Sequence, residues 1–334
     1  MAGKSGRTIL AEPGNNLKKQ IFSWEGILFL LFMAVILFCM RLSPNFKLNN
    51  VLREMPKYLA EVFIMLPMVF ILVMGEIDIS LGSVVCLSAT AACMASNAGM
   101  PLPAVIVLCI LAGTACGLVN GLVLTRFKEL PPMIVTLATQ IIFRGIAEIA
   151  LGSGGSISLK STKGFKVLAG KIGPVPYVFI LVMMAAVVFI LILSRTVFGR
   201  TLYAIGSNRV TAEYSGIHVQ KTRLIVYTVA GMMAGVCALF LTSVLYGANT
   251  TTGNGFEMDV IAMAVFGGVS TAGGKGRLPG AVISAFIIIC LRIGLGLINM
   301  NPQVILIILG GLLIVAVLLP NLVSMMRNRM RTSL

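Results

Sequence analysis

The chain has 334 residues, 58% hydrophobic and 11% charged, with a mean hydropathy of +1.00 and a formal net charge of +15. A soluble globular domain carries about 25% charged residues, so this composition excludes one and indicates an integral membrane protein. Most of the positive charge sits in short stretches beside apolar runs, where topology and lipid phosphate account for it; no basic, aromatic-interleaved surface remains for nucleic acid.

Residues 1–20 are polar, carry Lys4, Arg7, Lys18 and Lys19, and read as a cytoplasmic N-terminal tail. The first apolar run, 21–40, is long for the core of a signal peptide and no small-x-small cleavage site follows, so it reads as a retained anchor. Further spans are predicted at 58–75, 81–98, 102–125, 132–151, 175–194, 223–246, 258–272, 279–299 and 302–320. Runs of about 20 residues at about 1.5 Å per residue cross a hydrocarbon core of about 30 Å. Stretches such as Val105 to Leu111 are apolar on every side, which argues against the alternation of a β-barrel. The expected fold is an all-α membrane protein, a polytopic bundle of about ten transmembrane helices over 21–320, some broken or re-entrant. Residues 321–334 form a basic cytoplasmic C-terminal tail in this reading. The span 258–272 is short and rich in Gly267, Gly268, Gly273 and Gly274, so it either crosses as a span or is broken or re-entrant. This topology places 16 Lys and Arg inside and 8 outside, with Arg144 and Arg292 within spans.

Small residues recur at helical spacing in Ala112-Gly-Thr-Ala-Cys-Gly117 and Ala230-Gly-Met-Met-Ala-Gly235, a pattern that permits close helix crossing in lipid. Arg144 and Arg292 call for snorkelling or pairing, and Glu148 lies one turn from Arg144. The seven cysteines fall in apolar runs without a CxxC pair and read as small core residues.

Between the second and third spans lies Gly75-Glu-Ile-Asp-Ile-Ser-Leu-Gly-Ser83. No nucleophile, histidine or ligand set accompanies Glu76 and Asp78, so paired-carboxylate catalysis is not expected. A helix interruption is: Gly75 ends one helix, Asp78 or Ser80 caps the next, and the exposed backbone borders a translocation cavity. The stretch 267–277 fails as a phosphate loop, because Gly276 follows Lys275 where Ser or Thr is required. The lone His218 leaves no histidine-based metal cluster, so neither a metal nor a cofactor is expected.

The polar island from Arg195 to Arg223 separates two apolar runs and carries Arg195, Arg200, Arg209, Lys221 and Arg223. A transporter without a nucleotide motif is either ion-coupled or docked to an ATPase, and intramembrane carboxylates suited to proton relay are scarce here. The island favours docking, through a short helix over about 208–214 lying along the membrane. Its outer arginines and Lys221 are expected at the headgroups.

These motifs, with Pro132-Met-Ile-Val-Thr-Leu137, Phe198-Gly-Arg-Thr-Leu-Tyr-Ala-Ile-Gly-Ser-Asn208, Ser215-Gly-Ile217, Asp259-Val-Ile-Ala262 and Phe266-Gly-Gly-Val-Ser-Thr-Ala-Gly-Gly-Lys-Gly-Arg277, resemble a known family. It comprises the permease subunits of bacterial ABC importers for monosaccharides, of the ribose, xylose, galactose and autoinducer-2 type. The resemblance implies a non-enzymatic permease in the bacterial cytoplasmic membrane. It also implies a second permease, identical or homologous, a cytoplasmic ATPase with two nucleotide-binding domains in one chain, and an extracytoplasmic solute-binding protein. Glu76 departs from the glycine usual at that position. Expected pathway residues are Glu76, Asp78, Ser80, Asn120, Thr136 and Asn254, polar groups at span breaks or within spans. Expected coupling residues are Arg209, Glu213, Ser215, Gly216 and His218. The alternative is an ion-coupled secondary transporter of sugars or metabolites.

Overall fold

The computed structural model describes residues 24–301, 303–311 and 314. The expected N-terminal tail, the start of the first span, most of the last span beyond 311 and the basic C-terminal tail lie outside the described residues.

The helices are α1 (Trp24–Leu42), α2 (Leu48–Glu54), α3 (Pro56–Val73), α4 (Leu81–Asn97), α5 (Leu102–Arg126), α6 (Pro132–Leu151) and α7 (Lys163–Leu168). They continue as α8 (Tyr177–Arg195), α9 (Val197–Ser207), α10 (Arg209–Tyr214), α11 (Val219–Leu245), α12 (Phe256–Phe266) and α13 (Leu278–Gly296). Residues 303–311 are also helical. Seven of these, α1, α3, α5, α6, α8, α11 and α13, are long and apolar enough to cross a membrane. The 17 residues of α4 give it a length of about 26 Å.

Of the ten expected spans, 302–320 is only partly described and 81–98 corresponds to the shorter α4, so the described residues hold seven helices of full span length. The predicted span 258–272 is replaced by α12, whose 11 residues cover about 16 Å, half a hydrocarbon core. Glycines at 267, 268, 273 and 274 end it early: Gly268, Gly273 and Gly274 take positive φ, and the chain turns before re-entering as α13.

α11 runs through the centre, packed along α5 and against α3 and α4. The small-residue motifs are the reason. A Cβ on Gly231 of α11 would lie 2.7 Å from the Cα of Gly117 on α5, so only glycine permits this approach. α3 and α13 are buried along most of their length, whereas α1, α5 and α8 present Phe29, Leu37, Leu111, Leu122, Val187 and Leu191 outward. Apolar surface of this extent on isolated helices suits a lipid or protein neighbour.

Short pairings mark the two ends of the bundle. At one end β1 (Ser156–Ser158) pairs antiparallel with β4 (Gly247–Asn249), and the Asn97 side-chain amide at the end of α4 donates to the Ser158 carbonyl at 2.9 Å. A second two-stranded ribbon joins β2 (Lys171–Ile172) to β3 (Val175–Pro176). At the opposite end the Gly274 amide donates to the Val73 carbonyl at 2.8 Å, and the Tyr203 hydroxyl to the Gly276 carbonyl at 2.6 Å. Burial raises the Tyr203 phenol pKa, opposed in part by Arg277, so it stays a neutral donor. The segments 74–80, 195–218 and 267–277 thus gather at one end.

Candidate functional site

α3 ends in a Schellman motif. Gly75 has φ +77°, its amide donates to the Leu72 carbonyl at 2.9 Å, and the Glu76 amide donates to the Ile71 carbonyl at 3.1 Å. The chain then runs without helix to Leu81. Asp78 orders this break. One of its carboxylate oxygens accepts the Ser80 amide at 2.8 Å and the Ser80 hydroxyl at 2.7 Å. The Asn120 amide of α5 donates to the Ser80 hydroxyl at 2.8 Å, and the Ile79 amide donates to the Thr136 hydroxyl of α6 at 3.2 Å. Ser80 occupies the N-cap position of α4 but makes no side-chain capping bond, because its hydroxyl is committed to Asp78 and Asn120.

Four expected pathway residues, Asp78, Ser80, Asn120 and Thr136, are thus one buried hydrogen-bonded cluster tying the break to α5 and α6. The Asn120 side-chain oxygen is buried there without a partner. Asn254 is elsewhere: it is exposed on the 250–255 turns, its amide bound to the Thr251 carbonyl at 3.0 Å. Two residues absent from the expectation lie close to that turn. Glu257, buried in the first turn of α12, accepts from the Gln140 amide of α6 at 3.3 Å, and its second oxygen has no partner. Glu257 sits just ahead of the predicted span 258–272, which is the signal that could have drawn notice to it.

Glu76 points away from this cluster. Its carboxylate receives the Arg223 Nε at 2.8 Å and the Tyr227 hydroxyl at 3.1 Å, and the Arg209 Nη1 approaches to 4.0 Å. The Arg223 side chain is 1% exposed and also donates to the Leu124 carbonyl at 2.8 Å. Arg223 was expected at the lipid headgroups. It lies instead one turn inside α11, which begins at Val219, and is buried.

The expected surface helix over about 208–214 is α10, its N-terminus capped by the Asn208 side chain, which accepts the Thr211 amide at 2.9 Å. Ala212 is buried, while Val210 and Tyr214, four residues apart on one face, are 62% and 90% exposed. Glu213 and Ser215 are exposed beside them. Gly216, at φ +82°, turns the chain, and its carbonyl lies 3.2 Å from His218 Nδ1.

Residues 59–317 match the family described as "Branched-chain amino acid transport system / permease component". The chain belongs to this family. The permease is 35% identical to the ribose import permease protein RbsC of Bacillus subtilis (strain 168), over 86% of this chain and 90% of that one. It is 33% identical to the D-allose transport system permease protein AlsC of Escherichia coli (strain K12), over 90% and 93%. With the autoinducer 2 import system permease protein LsrD of Salmonella typhimurium it shares 31%, over 89% and 91%. A solved inward-facing structure of a metal-chelate type ABC transporter has the same fold, with a TM-score of 0.50 at 13% identity, covering 83% of this chain and 90% of that one. The permease is therefore a membrane component of an ABC importer, and membership implies an ATPase and a binding protein as partners.

A second charged cluster in the permease lies between α3, α12 and α13. Arg292 reaches Asp259 at 2.7 Å and Glu61 at 3.4 Å, all within apolar segments. Arg144 is held by the carbonyls of Thr250 at 3.0 Å and Thr252 at 2.8 Å, so its charge anchors the turns that precede α12. Arg292 is thereby paired with carboxylates and Arg144 satisfied by carbonyls, as their cost in lipid requires.

Proposed function

We propose that the chain forms the translocation pathway for a monosaccharide or a similar small polyhydroxylated solute, by alternating access driven by a partner ATPase. The substrate class rests on the relatives, named for import of ribose, allose and autoinducer 2. The buried cluster of Asp78, Ser80, Asn120 and Thr136 agrees with it. Such hydroxyl, amide and carboxylate groups exchange hydrogen bonds with solute hydroxyls once the break opens. The chain makes no covalent bond itself; ATP is hydrolysed on a separate subunit that carries two nucleotide-binding domains.

The observation that carries the coupling assignment is α10, a capped surface helix holding Val210 and Tyr214 in the open. An exposed aromatic on a rigid short element is the kind of anchor that a protein cleft takes up. Arg209, Glu213, Ser215, Gly216 and His218 surround it. In this reading segments 74–80, 195–218 and 267–277 are cytoplasmic, as are both termini, in a bacterial inner membrane. A second permease, identical or homologous, and an extracytoplasmic solute-binding protein complete the assembly. Affinity purification of the tagged chain from its own host tests this. The expected catch is a double-domain ATPase, lost on deleting 208–217; a chain that purifies intact from those membranes without any ATPase contradicts the assignment.

A further inference from the structure

Among the described residues, Glu76 is the acidic residue of the membrane break whose side chain reaches the surface helix α10, through Arg209. Its backbone closes the Schellman end of α3, and two residues later Asp78 organises the start of α4. Its side chain faces the opposite way, between Arg223 and Arg209. These two partners differ in kind. Arg223 is fixed: buried, and held as well by the Leu124 carbonyl of α5. Arg209 is the first residue of α10, its side chain is 34% exposed, and it stands at 4.0 Å, where a small displacement of α10 makes or loses the contact.

The surroundings leave few other routes from the surface helices to the break. α9 lies against the end of α3, where a Cβ on Gly206 would meet the backbone of Val73 and Gly274, but that contact involves uncharged main chain alone. Among the described residues, the Arg209 contact alone brings a charge of the docking helix to a residue of the break. With Arg223 alone the Glu76 carboxylate is matched one to one; Arg209 adds a second cation to the same carboxylate.

We infer that Glu76 is the positioning residue through which α10 sets the conformation of the 74–80 break, with Arg223 as its fixed partner and Arg209 as the movable one. This coupling role rests on the import reading above; the physical link does not.

The link is tested on the purified chain in detergent by hydrogen–deuterium exchange of residues 74–84. Arg209→Gln, a change at a partly exposed side chain outside that stretch, is expected to speed exchange there by about threefold or more, as loss of a local restraint does. Glu76→Gln gives at least the same effect, the double variant no more than Glu76→Gln alone, and Glu76→Asp returns toward wild type. Wild-type exchange in Arg209→Gln, or additive effects in the double variant, overturns the inference. In vesicles holding the chain with its ATPase and binding protein, both Gln variants are expected to hydrolyse ATP without the binding protein and to use more ATP per solute. Unchanged stoichiometry overturns the coupling role. A wild-type chain that engages no ATPase overturns it together with the import reading, while the exchange result still reports on the contact itself.

Discussion

Arg223 and Glu76, 147 residues apart in sequence, meet at 2.8 Å inside the bundle, joining the second turn of α11 to the break after α3. The pair is buried on both sides, so its loss is asymmetric. Arg223→Ala leaves a desolvated carboxylate and is expected to cost about 3–5 kcal/mol. The double replacement Glu76→Leu with Arg223→Met is expected to cost much less, since no buried charge remains. Thermal unfolding in detergent, followed by tryptophan-independent dye labelling of the buried cysteines, reads both.

Helix crossing at the centre depends on glycine. Gly231→Leu is expected to abolish a monodisperse elution peak, because its side chain would displace the backbone of α5 at Gly117. Gly145→Ala, on α6 where an added Cβ meets nothing within 4 Å, is the matched control and is expected to elute as wild type.

The Asp78 cluster predicts a graded series. Asp78→Ala leaves the Ser80 amide and hydroxyl without their acceptor, at a cost of about 1–3 kcal/mol. Asp78→Asn keeps an acceptor oxygen and is expected to lose less stability. Uptake falls in the same order if the cluster also lines the pathway, measured as initial rates at equal permease density.

Tyr214→Ala and Val210→Ser remove exposed surface and are expected to shift stability by no more than about 0.5 kcal/mol. Each is expected to reduce ATPase capture severalfold. Gly216→Pro is more severe, since proline cannot take φ +82° and the turn after α10 must rearrange. Unchanged capture in all three would remove the docking assignment.

How much of this was legible beforehand follows from the range of the signals. Gly75, Asn208 and Gly216 act within one or two turns, so the end of α3, the start of α10 and the turn after it could be read from neighbouring residues. The small-residue spacing on α5 and α11 likewise announced a close crossing, although not which helices would cross. The Glu76–Arg223 pair, and with it the burial of Arg223, could not be read from the sequence, because pairing across 147 residues leaves no periodic trace. The short length of α12 was legible only as an alternative: Phe256 to Phe266 is as apolar as a full span, and the glycines at 267, 268, 273 and 274 left a full or a broken span open until the positive φ of Gly268, Gly273 and Gly274 showed where the helix stops.

The most direct measurement of the central claim is solute uptake into vesicles containing the chain, with and without its ATPase. A radiolabelled panel including ribose and allose, with the binding protein outside, should accumulate only when ATP and the ATPase are both present. Accumulation by the chain alone under a proton or sodium gradient, with no ATPase, would contradict the account and establish an ion-coupled transporter.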